Sequence, residues 1–295
     1  MELNSILFPA PKFNFDKVSE LASDLIFIPK PNETEQYIPC LLLLAVQTTK
    51  APSDKFLIFF HGNAEDIFGA SDIGDKLRNR LNMNVVIVEY PRYSIFKQEE
   101  DTNKILDNSL IVFDFLVEKF KALPENIFVF GRSIGTSPAI YLSSKRKVGA
   151  LISVSGFTSI RDAAESLVGG FLKLFVNERF TSVDYIKDVT CPILFIHGQK
   201  DALIPFSQSI KLKEACKCPY EIHLPEEMTH NEFDYEEDLL QPVEEFLAKN
   251  TGIKQGLHSN IKIPQGIFDM PLVIRQSLKK EEAEKVSGSC LQGSC

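Results

Sequence analysis

The sequence predicts an α/β chain, a mostly parallel sheet covered by helices on both faces. Three observations carry this. Short continuous apolar runs rich in Val, Ile and Phe recur along the chain, with longer stretches of helical spacing between them. The runs do not alternate apolar with polar, so each strand is buried on both sides, which needs crossover helices above and below the sheet. The first two runs have no helix between them, which predicts an antiparallel start to the sheet.

The elements follow in order. Strands are expected over Leu25–Pro29 and Ile38–Val46, separated by a polar Pro-Asn-Glu-Thr turn. Phe56–Phe60 is an aromatic-rich strand ending in His61-Gly62, and Asp66–Leu81 is helical, with Ile67, Ile73 and Leu77 on its apolar side. Asn84–Tyr90 is a β-branched strand, and Thr102–Leu123 is a long amphipathic helix. Ile127–Phe130 and the helix Ile134–Lys145 come next, then strands at Val148–Val154, Pro192–Ile196 and Tyr220–Leu224. Helices are expected over Leu203–Cys216 and Asp234–Lys249. Thr158–Val189 has no clean strand, and two helix-like pieces flank the apolar Phe171–Val176. This makes eight strands, with a lead-in over 1–24, one domain over 25–250 and a partly disordered tail over 251–295.

Composition narrows the function. The 295 residues carry a formal charge of −8, which lacks the basic footprint of a nucleic-acid binder. Residues 251–295 hold six Lys or Arg and four Asp or Glu, so the tail is at +2 and residues 1–250 are at −10. Six cysteines without a CxxC pair form neither a disulfide framework nor a zinc set. The N-terminus has no basic n-region, and the longest apolar stretch, Ile38 to Val46, is about half a membrane span. A cytoplasmic chain is expected, with peripheral membrane contact allowed and a monomer assumed. The sequon at Asn32 is then incidental.

Chemistry concentrates at Gly131-Arg132-Ser133-Ile134-Gly135, which reads G-x-S-x-G directly between a strand and a helix. A serine on such a turn has its hydroxyl raised above the sheet, with helix N–H groups behind it. Of five histidines, His230 alone stands after the last strand and before the final helix, where a base reaches the C-terminal edge of a parallel sheet. His61 and His197 each end a strand before a glycine, His223 lies within a strand, and His258 lies in the tail. Asp201 is the first acid after the Pro192–Ile196 strand and suits the orienting role. The N–H of Ile134 is one oxyanion donor. The loop His61-Gly-Asn-Ala-Glu65 offers the other, at Asn63 or Ala64.

With those residues in view the chain resembles the α/β-hydrolases over about 25–249. It is most similar to the subgroup holding the α/β-hydrolase-domain protein depalmitoylases, often grouped with serine-aminopeptidase-like hydrolases. The matching stretches are His61–Glu65, Gly131–Thr136, Thr190–Gly198, Asp201 and Glu227–His230. The resemblance implies Ser133 as nucleophile, Asp201 as acid, His230 as base and Asn63 with Ile134 as oxyanion donors, with no metal and no cofactor. It also implies an acylated protein or lipid-like ester as substrate.

Two departures stand out. Where such proteins carry Tyr-x-Gly-Tyr-Gly, this chain has Tyr90-Pro-Arg92-Tyr93-Ser94, without either glycine. It also lacks their N-terminal cysteine cluster and instead has Cys290 and Cys295 near Lys279-Lys280. The stretch between the strands ending at Val154 and beginning at Pro192 is too short for a large lid. Palmitoyl-protein thioester hydrolysis is therefore the leading expectation, with a lipid or small-ester carboxylesterase next and an aminopeptidase last. The alternative outside catalysis is a silent hydrolase fold used for binding, but the sequence is missing no triad member.

Overall fold

Phe56–Phe60 (β3) shows why the sheet lies at the centre of the molecule. All five of its residues are buried, so neither face can meet water. In the computed structural model, which describes residues 15–31, 33–45, 53–94, 102–163, 180–251, 261, 263–276 and 278–279, β3 is flanked on both sides by parallel strands. These are β4 (Asn84–Val88) and β5 (Ile127–Arg132). Outward from β5 run β6 (Ala150–Val154), β7 (Ile193–Ile196) and β8 (Tyr220–His223), all parallel. On the other side β2 (Tyr37–Leu43) pairs antiparallel with β4, and β1 (Leu25–Pro29) pairs antiparallel with β2. The order is β1-β2-β4-β3-β5-β6-β7-β8, eight strands with the expected antiparallel start.

Successive side chains point to opposite faces, and the core divides accordingly. Phe56, Ile58, Phe60, Ile127 and Val129 face one layer, and Leu57, Phe59, Phe128 and Phe130 face the other. The first layer is closed by α2 (Thr102–Lys119), α3 (Thr136–Lys145) and α4 (Ser207–Ala215), through Leu116, Ile140 and Leu212. The second is closed by α1 (Ser71–Leu81) and α5 (Gln241–Asn250), through Leu77, Val243 and Phe246. Each fully buried side chain of this size contributes about 1.5–3 kcal/mol of transfer free energy, so covering both faces is what the apolar strands require.

Helix boundaries differ from the periodicity where a polar side chain caps a turn. The helix expected from Asp66 begins at Ser71, because Asp66 Oδ1 accepts the Gly69 N–H at 2.8 Å and its carbonyl accepts Ala70 N–H. The helix expected from Leu203 begins at Ser207, because Leu203 and Ile204 donate their N–H groups to Asp201. The last helix opens with a wide turn over Tyr235–Leu240, capped by Asp234 through the Glu236 and Glu237 N–H groups.

Beyond Asn250, Ile261 is buried, and Ile267 and Phe268 pack on the first core layer. Met270, Ile274 and Leu278 pack on the second. The described cysteines, Cys40, Cys191, Cys216 and Cys218, are all free thiols. Among the described residues no helix is long and apolar enough to cross a membrane. The expectations for Asn32, for Phe171–Val176 and for Cys290 and Cys295 fall outside the described residues.

Candidate active site

β5 delivers the chain to Ser133, a single tight turn follows, and α3 begins at Thr136. Ser133 has φ 53°, in the left-handed region. That conformation costs a non-glycine residue on the order of 1–3 kcal/mol, and tertiary contacts must hold it there. The two motif glycines serve a different need, close approach. A Cβ on Gly131 would lie 2.4 Å from the Gly135 carbonyl oxygen, and one on Gly135 would lie 2.1 Å from that of Phe60. Thr136 Oγ1 donates to the Ser133 carbonyl at 2.7 Å and fixes the turn from behind.

The structure brings Ser133, His230 and Asp201 into one line. His230 Nε2 is 3.0 Å from Ser133 Oγ, and its Nδ1 is 2.7 Å from Asp201 Oδ2. A carboxylate at Nδ1 accepts the proton there, which leaves Nε2 free to accept the serine O–H. The histidine loop is pressed onto the end of β7. Gly198 leaves room for it, since a Cβ there would lie 2.1 Å from the Met228 carbonyl oxygen, and Lys200 N–H donates to that same oxygen at 3.1 Å.

Asp201 is saturated with donors. Its Oδ1 accepts Leu203 N–H at 2.9 Å and Ile204 N–H at 2.8 Å. Burial alone would raise its pKa, but hydrogen bonds from His197, His230 and the Ile204 N–H outweigh it and hold the carboxyl far below the usual range. His197 is the contributor that the sequence pattern did not assign. Its Nδ1 faces Ser209 Oγ at 2.7 Å, and its Nε2 faces the Ile204 carbonyl at 2.8 Å and Asp201 Oδ2 at 3.4 Å. Both Nε2 partners are acceptors, so Nε2 carries a proton. The clue in the sequence was a histidine four residues before the acid, at the end of the same strand.

The loop after β3 lies across the elbow, because Gly135 packs on the Phe60 and His61 carbonyls. This puts the loop carrying Asn63 beside the turn that carries Ile134. Ala64 has φ 59° and turns the loop sharply. Two tyrosines brace it. Tyr90 Oη donates to the His61 carbonyl at 2.8 Å, and Tyr93 Oη donates to Asn63 Oδ1 at 2.8 Å. Beneath lies a fully buried pair, with His61 Nε2 3.3 Å from Glu89 Oε1 and His61 Nδ1 2.9 Å from the Gly62 carbonyl. Burial works against the charged ring, yet Glu89 raises the His61 pKa, while burial raises that of Glu89.

The turn that lacks glycines keeps a glycine-like backbone. Arg92 has φ 71° and Ser94 has φ 42°, both left-handed, at the two positions where glycine was expected. With that backbone, Tyr93 reaches Asn63. Among the described residues no group of His, Cys, Asp and Glu is arranged to hold a metal ion.

A sheet of this order, with a serine raised on a strained strand-to-helix turn and an imidazole at its hydroxyl, defines the α/β-hydrolase class of serine hydrolases. Comparison with known proteins agrees with an α/β-hydrolase fold carrying a serine-hydrolase site. The family described as "Serine hydrolase (FSH1)" matches residues 123–231, a span that holds Ser133, Asp201 and His230. The chain is 28% identical over 200 residues to human alpha/beta hydrolase domain-containing protein 17B, covering 68% of each chain. It is 30% identical to mouse alpha/beta hydrolase domain-containing protein 17C, covering 67% of this chain and 61% of the relative. Among solved structures, the Pyrococcus furiosus esterase Pf2001 superposes with a TM-score of 0.61 at 18% identity, over 83% of this chain and all of that one, which speaks for the fold alone.

Proposed function

We propose that this chain hydrolyses fatty-acyl thioesters on S-acylated proteins. Ser133 Oγ attacks the acyl carbonyl while His230 Nε2 takes its proton, and Asp201 steadies the imidazolium that forms. The N–H of Ile134, with one from the loop at Asn63, holds the oxyanion. The cysteine thiol of the substrate leaves with the proton from His230. Water, activated by the same imidazole, then releases the fatty acid from Ser133. The observation that carries the chemistry is the Ser133–His230–Asp201 line of hydrogen bonds.

The choice of thioester rests on the resemblance to the domain-containing protein 17 relatives and on the short connection between β6 and β7, which suits an acyl chain presented by a protein surface. The deciding experiment compares turnover of a palmitoyl-cysteine peptide, a monoacylglycerol and a peptide amide by the purified protein and by Ser133→Ala. The thioester should be fastest and the variant inert. A faster monoacylglycerol would make the chain a lipid esterase, and a faster amide would make it a peptidase. Fluorophosphonate labelling that persists in Ser133→Ala would remove the serine mechanism altogether.

A further inference from the structure

Arg132 occupies the variable position of the pentapeptide immediately before the serine, and its guanidinium is nearly buried, with its side chain 11% exposed. From the elbow it reaches two of the other segments that make the site. Nη1 donates to Glu65 Oε1 in the loop after β3 at 3.2 Å, and Nη2 donates to the His230 carbonyl at 2.9 Å and to Asn231 Oδ1 at 3.0 Å. Glu65 passes the contact on, because its Oε1 also accepts the Gly62 N–H at 2.6 Å. Phe233, in the histidine loop, has its ring centroid 6.0 Å from the guanidinium.

Gly62 shows how closely the loop backbone approaches the pair. A Cβ there would lie 2.7 Å from Arg132 Nη1 and 2.8 Å from Glu65 Oε1. The loop backbone thus packs directly against the ends of both side chains. An exposed ion pair would contribute little, but a planar guanidinium shared among three acceptors on two loops fixes their separation. Its charge also offsets that of Glu65, which would otherwise oppose an oxyanion forming in that loop.

We propose that Arg132 is a positioning residue that locks the oxyanion loop to the histidine loop, with Glu65 as its partner. The kinetic part of this rests on the serine-hydrolase reading above; the mechanical part does not. In catalysis the clamp acts after binding, holding donors and base at their working separation while the acyl carbonyl becomes tetrahedral.

The test uses Arg132→Met, which keeps the aliphatic stem, Arg132→Lys, Glu65→Gln and the Arg132→Met/Glu65→Gln double variant. Ser133→Ala is measured alongside, with p-nitrophenyl butyrate as the probe ester. Arg132→Met should lower kcat by about 10- to 100-fold, the scale of a small misplacement at a reacting centre, with KM within about 3-fold. Arg132→Lys, which keeps the charge but cannot span both loops, should recover only part of the loss. Glu65→Gln keeps an acceptor and should lose less than Arg132→Met, and the double variant should be no worse than Arg132→Met alone.

Hydrogen exchange reads the clamp without reference to turnover. In Arg132→Met, peptides covering residues 61–66 and 228–232 should lose protection together, while the rest of the sheet does not. Unchanged exchange in both loops, or a wild-type kcat, would overturn the clamp. So would a loss of kcat that matches the loss of folded protein on thermal melting. If Ser133→Ala keeps its turnover, the serine mechanism fails instead, and the exchange result alone decides the clamp.

Discussion

The Phe60 carbonyl oxygen and the α-carbon of Gly135 are in direct packing contact, so close that a methyl on Gly135 would sit 2.1 Å from that oxygen. This contact joins the strand that leads into the Asn63 loop to the turn that carries Ser133. Gly135→Ala must therefore push β3 and the elbow apart. The expected result is a loss of about 3 kcal/mol in stability, the upper part of the overpacking range, read by urea unfolding. A variant as stable as the parent would show that the contact is softer than the geometry implies.

Asp201 ties stability to pH. Its carboxylate is held far below the usual range by His197, His230 and the Ile204 N–H, against the opposing effect of burial. The stabilisation is therefore complete above the unfolded value of about 3.9 and is lost as pH falls toward the folded value. Stability should decline below about pH 4 in the parent, and less steeply in Asp201→Asn. The same variant should lose about 10³- to 10⁴-fold in kcat at neutral pH, by analogy with the loss of the acid in the serine-protease triad. Chemical denaturation from pH 3 to 7, with kinetics at pH 7, checks both.

Tyr93 reaches Asn63 through one hydroxyl. Tyr93→Phe keeps the ring packing against His61 and Tyr90 and removes the hydroxyl's bond to Asn63. A hydrogen bond of about 1 kcal/mol corresponds to about a five-fold fall in kcat, with the melting temperature little changed. An unchanged rate would show that the Asn63 side chain does not help to shape the donor loop.

Ser94 combines φ 42° with a buried Oγ that has no hydrogen-bond partner among the described residues. Ser94→Gly removes both penalties, and thermal unfolding should show a gain of about 1 kcal/mol. A destabilised variant would mean that the hydroxyl or the stiffer backbone contributes more than it costs.

Much of this was legible because the relevant signals are local. Apolar runs such as Phe56–Phe60 and Ile127–Phe130 announce doubly covered strands, and the Ser133, Asp201, His230 order follows from which loop comes after which strand. What stayed hidden depends on contacts across the chain. His197 becomes an Asp201 donor only once the fold sets its Nε2 between the Ile204 carbonyl and the Asp201 carboxylate, and Tyr93 meets Asn63 only when the turn at Arg92 adopts a glycine-like φ. Helix starts were missed where Asp66 and Asp201 take the first N–H groups for their own turns. Arg132 is in a variable motif position, so its neighbours on two other loops left no trace in the pattern.

The pairing of β3 with β5, Phe60 opposite Gly131, acts as the scale on which the site is measured out. Each residue along a strand advances about 3.3 Å and reverses the side it faces. One step of slippage would therefore misplace the donor loop by more than the length of a hydrogen bond. The edge-to-face contact of Phe59 with Phe130, ring centroids 4.8 Å apart, pins that scale from inside the core. Tolerances at the reacting carbonyl are thus inherited from two phenylalanines that never touch substrate, and wear at that bearing would surface as a defect in turnover.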